Sequence, residues 1–213
     1  RGAEAGGVRA SLGERANVAE RVGHVAVLAH QQPGRPARAA ALHGRRERQR
    51  PRAEPAVAEK ISLHEAAAFD GLLGLVEMGA VELLAANVTI DDLERPDMLV
   101  LSVTAADTAL RLRTLLQAEG LESWPKLTGG RELHVMVPIE PDLNAAEALR
   151  YSEQLAGRLA KASIDCRYNK PGAAAIAAFS PRALPGFPIA APVAWSQLQR
   201  GLAADAFTMK KRP

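Results

Sequence analysis

Several things are scarce in this sequence. A single cysteine, Cys166, stands among 213 residues. It cannot form an internal disulfide, which agrees with a reducing compartment. No apolar run reaches the roughly 18 residues that a membrane-spanning helix needs. The first residues lack the compact apolar core of a signal peptide. A cytoplasmic location is therefore expected, with no membrane partner. Aromatic residues make up only 4% of the chain, and residues 1–60 contain no Phe, Tyr or Trp. Charge is also thin, with a net of +3 that is spread unevenly. Residues 1–60 hold 12 Lys or Arg and 6 Asp or Glu, a net of +6, whereas residues 61–213 hold 15 and 18, a net of −3. The positive balance belongs to the first segment and is no sign of a nucleic-acid face on the rest.

Residues 1–60 therefore read as a basic low-complexity tail and residues 61–213 as a domain. The tail is dominated by Ala, Arg, Gly, Pro and Gln, with arginine clustered at Arg45, Arg46, Arg48, Arg50 and Arg52. Such a segment buries too little apolar surface to offset its ordering entropy. Only Val25 to Leu28 suggests a short strand or a helical turn. Three readings of the tail stand side by side: a flexible arm that touches phosphates, a disordered segment without a role, and a stretch read out of frame from a GC-rich gene.

From Ile61 the pattern becomes orderly. Ala66, Phe69, Leu72, Leu73 and Val76 recur at helical spacing, which predicts a helix over 66–78 with one apolar face, stopped by Gly79. Val81 to Leu84 reads as a short strand. Met98 to Val103 is a near-continuous apolar run, which suits a central strand covered on both sides. Thr104 can cap the following helix, with Asp107 in its first turn. That helix runs to about Glu119, turning Leu110, Leu112, Leu115 and Leu116 inward. Ser123 to Leu127 and Leu133 to Val137 read as strands joined by the turn Thr128-Gly129-Gly130-Arg131. Asn144 with Glu147 is a capping-box signature for a helix to about Lys161. Ile164 to Tyr168 and Ala173 to Phe179 read as further strands. Ser180 to Ala194, with four prolines, must be extended and irregular. A short helix follows from Trp195 to Leu202.

Four motifs carry a resemblance. They are Gly74-Leu-Val-Glu-Met-Gly79-Ala-Val-Glu82, Ile90-Asp-Asp-Leu-Glu-Arg-Pro-Asp97, Thr128-Gly-Gly-Arg-Glu-Leu-His134-Val-Met-Val-Pro138 and Phe179-Ser-Pro-Arg182-Ala-Leu-Pro-Gly-Phe-Pro188. No one of them is decisive; the four in order carry the argument. Together they resemble the polymerase domain of bacterial DNA ligase D, in the primase-polymerase superfamily, over about Leu63 to Met209. The resemblance implies an α+β fold with a primase-polymerase-like mixed or antiparallel sheet (an RRM-like core) flanked by helices. It also implies a nucleotidyltransferase that extends DNA ends in non-homologous end joining. Its partners would be a nucleoside triphosphate, DNA ends, and a ligase domain or Ku-like protein.

The family works with two divalent metals, Mg²⁺ or Mn²⁺, and such a pair needs several converging carboxylates to offset the cations' mutual repulsion. Strand alternation sets residues i and i+2 on one face, so an Asp-x-Asp pair ending a strand points into one cleft. By resemblance those positions are Ser102 and Thr104, and the third aspartate is Asp165. Only Asp165 is a carboxylate, and it is the catalytic and metal-binding candidate. Neutral hydroxyls hold Mg²⁺ weakly without a carboxylate or phosphate sharing the ion. The resemblance places nucleotide binding at Thr128, Gly129, Gly130, Arg131, His134 and Arg182. There the turn offers backbone N–H groups, a hydroxyl and a guanidinium as an anion nest. A Gly-Gly hairpin turn and a lone strand histidine also occur without any such role. Glu132 stands where the family has glycine, and a carboxylate there would repel phosphate. The sequence thus points to a divergent repair polymerase domain with impaired catalysis; the alternative is a non-catalytic module that binds nucleotides or DNA ends.

Overall fold

The computed structural model describes residues 27–31, 69–77, 79–89, 92–159 and 162–211. The strands are β1 (Val27–Gln31), β2 (Ala80–Ala86), β3 (Met98–Val103), β4 (Trp124–Leu127), β5 (Leu133–Pro138), β6 (Ala174–Ile176) and β7 (Ala191–Pro192). The helices are α1 (Phe69–Glu77), α2 (Ala106–Ala118), α3 (Ala145–Gly157) and α4 (Trp195–Gln199). A 3-10 turn covers Arg167–Asn169. Among the described residues two sheets form, in the strand orders β1-β2-β6 and β3-β5-β4-β7, and every pairing is antiparallel. The fold is α+β, as expected. β1 falls at the one patch of residues 1–60 that allowed a strand; the remainder of that segment lies outside the described residues.

Alternation along the strands explains the layering. Leu99, Leu101 and Val103 of β3, Leu133, Val135 and Val137 of β5 and Leu127 of β4 share one face. They pack against Ala109, Leu112 and Leu116 of α2, Ala148 and Leu155 of α3 and Leu198 of α4. The opposite face carries Val100 and Met136, which meet Ala175 of β6 in the other sheet. Both faces are covered, which is why β3 reads as a continuous apolar run.

β3 is nevertheless an edge strand of its sheet among the described residues, not the central strand expected. Its outer backbone groups are closed by other means. Ser102 exchanges two backbone hydrogen bonds with Asp165, of 2.9 and 2.8 Å. The Asn169 side-chain amide accepts from Val100 N at 2.8 Å and donates to Val100 O at 2.9 Å. A carboxamide has the donor and acceptor of a peptide group, so it completes the edge as another strand would.

Three further expectations are corrected. Ile164 to Tyr168 is not a strand: it makes one bridge, Asp165 to Ser102, and then turns. The Asp165 carboxylate accepts the Arg167 N–H at 2.8 Å, a local bond that bends the chain out of the extended form. Thr104 is not the cap of α2, whose N-cap is Ala105 without a side-chain bond. Leu73 and Val76 of α1 are exposed, whereas Leu75 is buried. The Asn144 capping box is present in full, with the side chain accepting from Ala146 N and Glu147 N.

Candidate functional site

The hairpin register sets the site. Ser102 pairs with His134 across β3 and β5, and His134 pairs with Lys126 across β5 and β4. Directly opposed residues share a face. The result is a row of three polar side chains on the face turned toward β6, and all three are buried. Lys126 donates from Nζ to the carbonyl of Ile176 at 2.7 Å, tying the two sheets together. Burial lowers its pKa to about 8.

His134 is 1% exposed, and neither of its ring nitrogens has a hydrogen-bond partner. Its ring lies 4.7 Å from that of Tyr168, tilted by 55°. Burial lowers its pKa to about 3, helped by the positive charges of Lys126, Arg167 and Arg182. The imidazole is therefore neutral near pH 7. Its 3.8 Å approach from Nε2 to the Glu132 carboxylate is not an ion pair there. A buried polar ring without partners is uncommon in a stable fold and marks a place where a ligand group would be satisfied.

At one end of the row lies the turn Thr128 to Arg131. Thr128 Oγ1 donates to the Glu132 carbonyl at 2.5 Å and accepts from Gly130 N at 3.3 Å. Gly129 N donates to the Ala204 carbonyl at 3.1 Å. Two of the N–H groups expected in an anion nest are thus already engaged. Arg182 lies across the turn, donating from Nη1 to the Thr128 carbonyl at 2.7 Å and from Nε to Glu82 at 3.1 Å. Only glycine fits at 129: its φ is +71°, and an added Cβ would stand 2.9 Å from Arg182 Cγ. Glu82 also accepts from Ala183 N at 2.7 Å, so the Arg182 charge is balanced. Arg131 is exposed at the tip and has no carboxylate partner among the described residues.

At the other end lie the positions where the resemblance implies metal ligands. Asp165 is beside Ser102, held there by the paired backbone bonds. Thr104 lies beyond the end of β3 and is exposed. The Asp165 carboxylate faces Arg167, with Nη1 at 3.0 Å. Nη2 of Arg167 bonds Glu132, and also the Tyr168 hydroxyl at 3.0 Å. Tyr168 donates to Glu132 at 2.8 Å. These hydrogen bonds, first from Tyr168 and then Glu132, raise the pKa of Arg167 above its already high ordinary value. Among the described residues no group of three or more His, Cys, Asp or Glu could hold a metal ion. The donor set does not fit a two-metal centre: of the three positions that the resemblance implies, only Asp165 carries a carboxylate, and Arg167 is paired with it.

The structure thus brings together Thr128, Gly129, Gly130 and Arg182 around the turn. His134 lies between Lys126 and Ser102 in the strand register, Asp165 is bridged to Ser102, and Thr104 and Arg131 are exposed. Lys126 and Arg167 were not singled out in the sequence as members of the site, and Glu132 was noted there only as a carboxylate that would repel phosphate. Lys126 had a usable signal: a lysine inside an apolar strand, opposite the histidine of the returning strand once the hairpin is registered. For Arg167 there was none, because Glu132, which joins Asp165 and Tyr168 around it, is 35 residues away in the chain. No helix among the described residues is long and apolar enough to cross a membrane.

Known proteins resemble this chain in sequence and in fold. The chain is 28% identical over 172 residues to the multifunctional non-homologous end joining protein LigD of Pseudomonas aeruginosa, a match covering 68% of this chain. The chain spans about a fifth of the length of that relative, 20%. The polymerase domain of Mycobacterium tuberculosis ligase D, solved in complex with DNA, has the same fold with a TM-score of 0.55 at 19% identity. That likeness covers 84% of this chain and 76% of that one. The sequence profile of the LigD primase-polymerase domain matches residues 38–213. On that match, with the antiparallel α+β core that carries it, the chain belongs to the LigD primase-polymerase domain family of end joining.

Proposed function

We propose that this chain binds nucleoside triphosphates and DNA ends in end-joining repair, and that its nucleotidyl transfer is impaired. One observation carries the reading: the site's two ends have parted in charge. At one end Lys126 and Arg182 lie close to a neutral His134 whose ring nitrogens have no hydrogen-bond partner, and Arg131 is exposed at the tip of the turn. At the other, Asp165 is the only carboxylate at the three metal positions, and Arg167 neutralises it. A triphosphate is attracted to the first end; the second lacks the charge that two divalent cations demand. Residual catalysis would use Mg²⁺ or Mn²⁺ at Asp165. DNA as a partner is inferred from the related domain solved with DNA, and a ligase domain or Ku-like protein from the multifunctional relative.

The test is a thermal-shift titration of the whole chain with a nucleoside triphosphate. The expected result is a melting temperature that climbs with nucleotide concentration and climbs less in Lys126→Met. An unchanged melting temperature at saturating nucleotide rejects the reading.

A further inference from the structure

The Arg167 guanidinium sits where the site would need a metal. It touches the Asp165 carboxylate through Nη1 at 3.0 Å and Glu132 through Nη2. Nη2 also reaches the Tyr168 hydroxyl at 3.0 Å, and the backbone N–H of the same residue bonds Asp165 Oδ1 at 2.8 Å. The guanidinium carbon lies 4.9 Å from the centroid of the Tyr168 ring. Two carboxylates and a hydroxyl oxygen thus converge on one cation: Asp165 and Tyr168 lie beside it in the chain, and Glu132 is brought to it by the fold. A divalent ion draws on the same ligand types: carboxylates, a hydroxyl and the nearby His134 nitrogen.

We propose that Arg167 is a built-in cation that takes the place of a divalent metal between Asp165 and Glu132, and that it bars metal from the site. The arrangement is self-consistent in charge. The two carboxylates need a counter-charge, and Ser102 and Thr104 supply none that would call for a second or third cation. A guanidinium in the fork of the two carboxylates meets them with directed hydrogen bonds. A metal arriving there would meet a fixed positive charge at contact range and carboxylates whose oxygens are already engaged. The inference builds on the reading of an impaired metal end. Its test uses metal alone, so it can fail while nucleotide binding stands.

The experiment is a Mn²⁺ titration followed by electron paramagnetic resonance, which reads free Mn²⁺ directly. The samples are the wild-type chain, Arg167→Gln, Arg167→Lys, Asp165→Asn and the double variant Arg167→Gln/Asp165→Asn. Wild type, Arg167→Lys and Asp165→Asn are expected to bind Mn²⁺ equally weakly. Arg167→Gln is expected to bind at least about tenfold more tightly, the effect of removing one adjacent positive charge. The double variant should lose that gain. Equal binding by Arg167→Gln and wild type overturns the proposal. So does wild-type Mn²⁺ binding that Asp165→Asn abolishes, a result that requires no Arg167 variant to fold.

Discussion

The two faces of the β3-β5-β4-β7 sheet are made from alternate residues of the same strands, yet they do opposite physical work. The face under α2, α3 and α4 is aliphatic throughout, with Leu101, Leu112 and Val135 wholly buried. Each of those side chains stabilises the fold by leaving water. The other face buries Ser102, His134 and Lys126, groups that cost free energy to bury unless they are fully paired. Lys126 has one hydrogen bond and His134 has none. The contrast teaches that stabilising apolar side chains and a buried polar row are separated here by strand parity alone. A shift of one residue in register would exchange them.

Four perturbations can break or sharpen that contrast. The largest effect belongs to the aliphatic face: Leu101→Ala should lower unfolding free energy by about 2–5 kcal/mol, read from urea denaturation. Next is the turn that closes the polar face. Gly129→Ala forces a side chain into a left-handed backbone position against Arg182, and should cost about 1–2 kcal/mol by the same measurement.

The third perturbation is pH. His134 has a folded pKa of about 3 against an ordinary 6.5. Between those values the unfolded chain holds a proton that the folded chain does not. Stability therefore falls as pH falls through that window, by at most about 1.4 kcal/mol per unit from this group. His134→Leu should show a shallower acid-side slope in denaturation curves taken across it; parallel slopes would mean the ring titrates normally. The smallest change in stability is expected for Lys126→Met. It removes a costly buried cation but leaves the Ile176 carbonyl unbonded, so the two effects should cancel to within about 1 kcal/mol. A loss as large as that of Leu101→Ala would erase the distinction between the faces.

Much of this was legible in the sequence, and the rest was hidden for physical reasons. The strands around the Thr128 hairpin, the Asn144 box and the apolar face of α2 follow from local alternation, helical period and capping chemistry. The edge position of β3 does not, because it depends on what lies beside Ser102 and Val100. Those neighbours, Asp165 and Asn169, are far along the chain. Arg167 escaped for the same reason: its neighbour Tyr168 is adjacent in sequence, but Glu132 arrives only through folding. Asp165 itself was found by resemblance. What the structure adds is its neutralisation, which no spacing in the sequence conveys.

Under the proposed function, the phosphate end of the site persists while the metal end does not carry the reaction. Primer extension in Mn²⁺, in the buffer used for the nucleotide titration, tests this most directly. Bound nucleotide and no product above that of Asp165→Ala are expected. Robust extension by the wild-type chain that Asp165→Ala abolishes would contradict it.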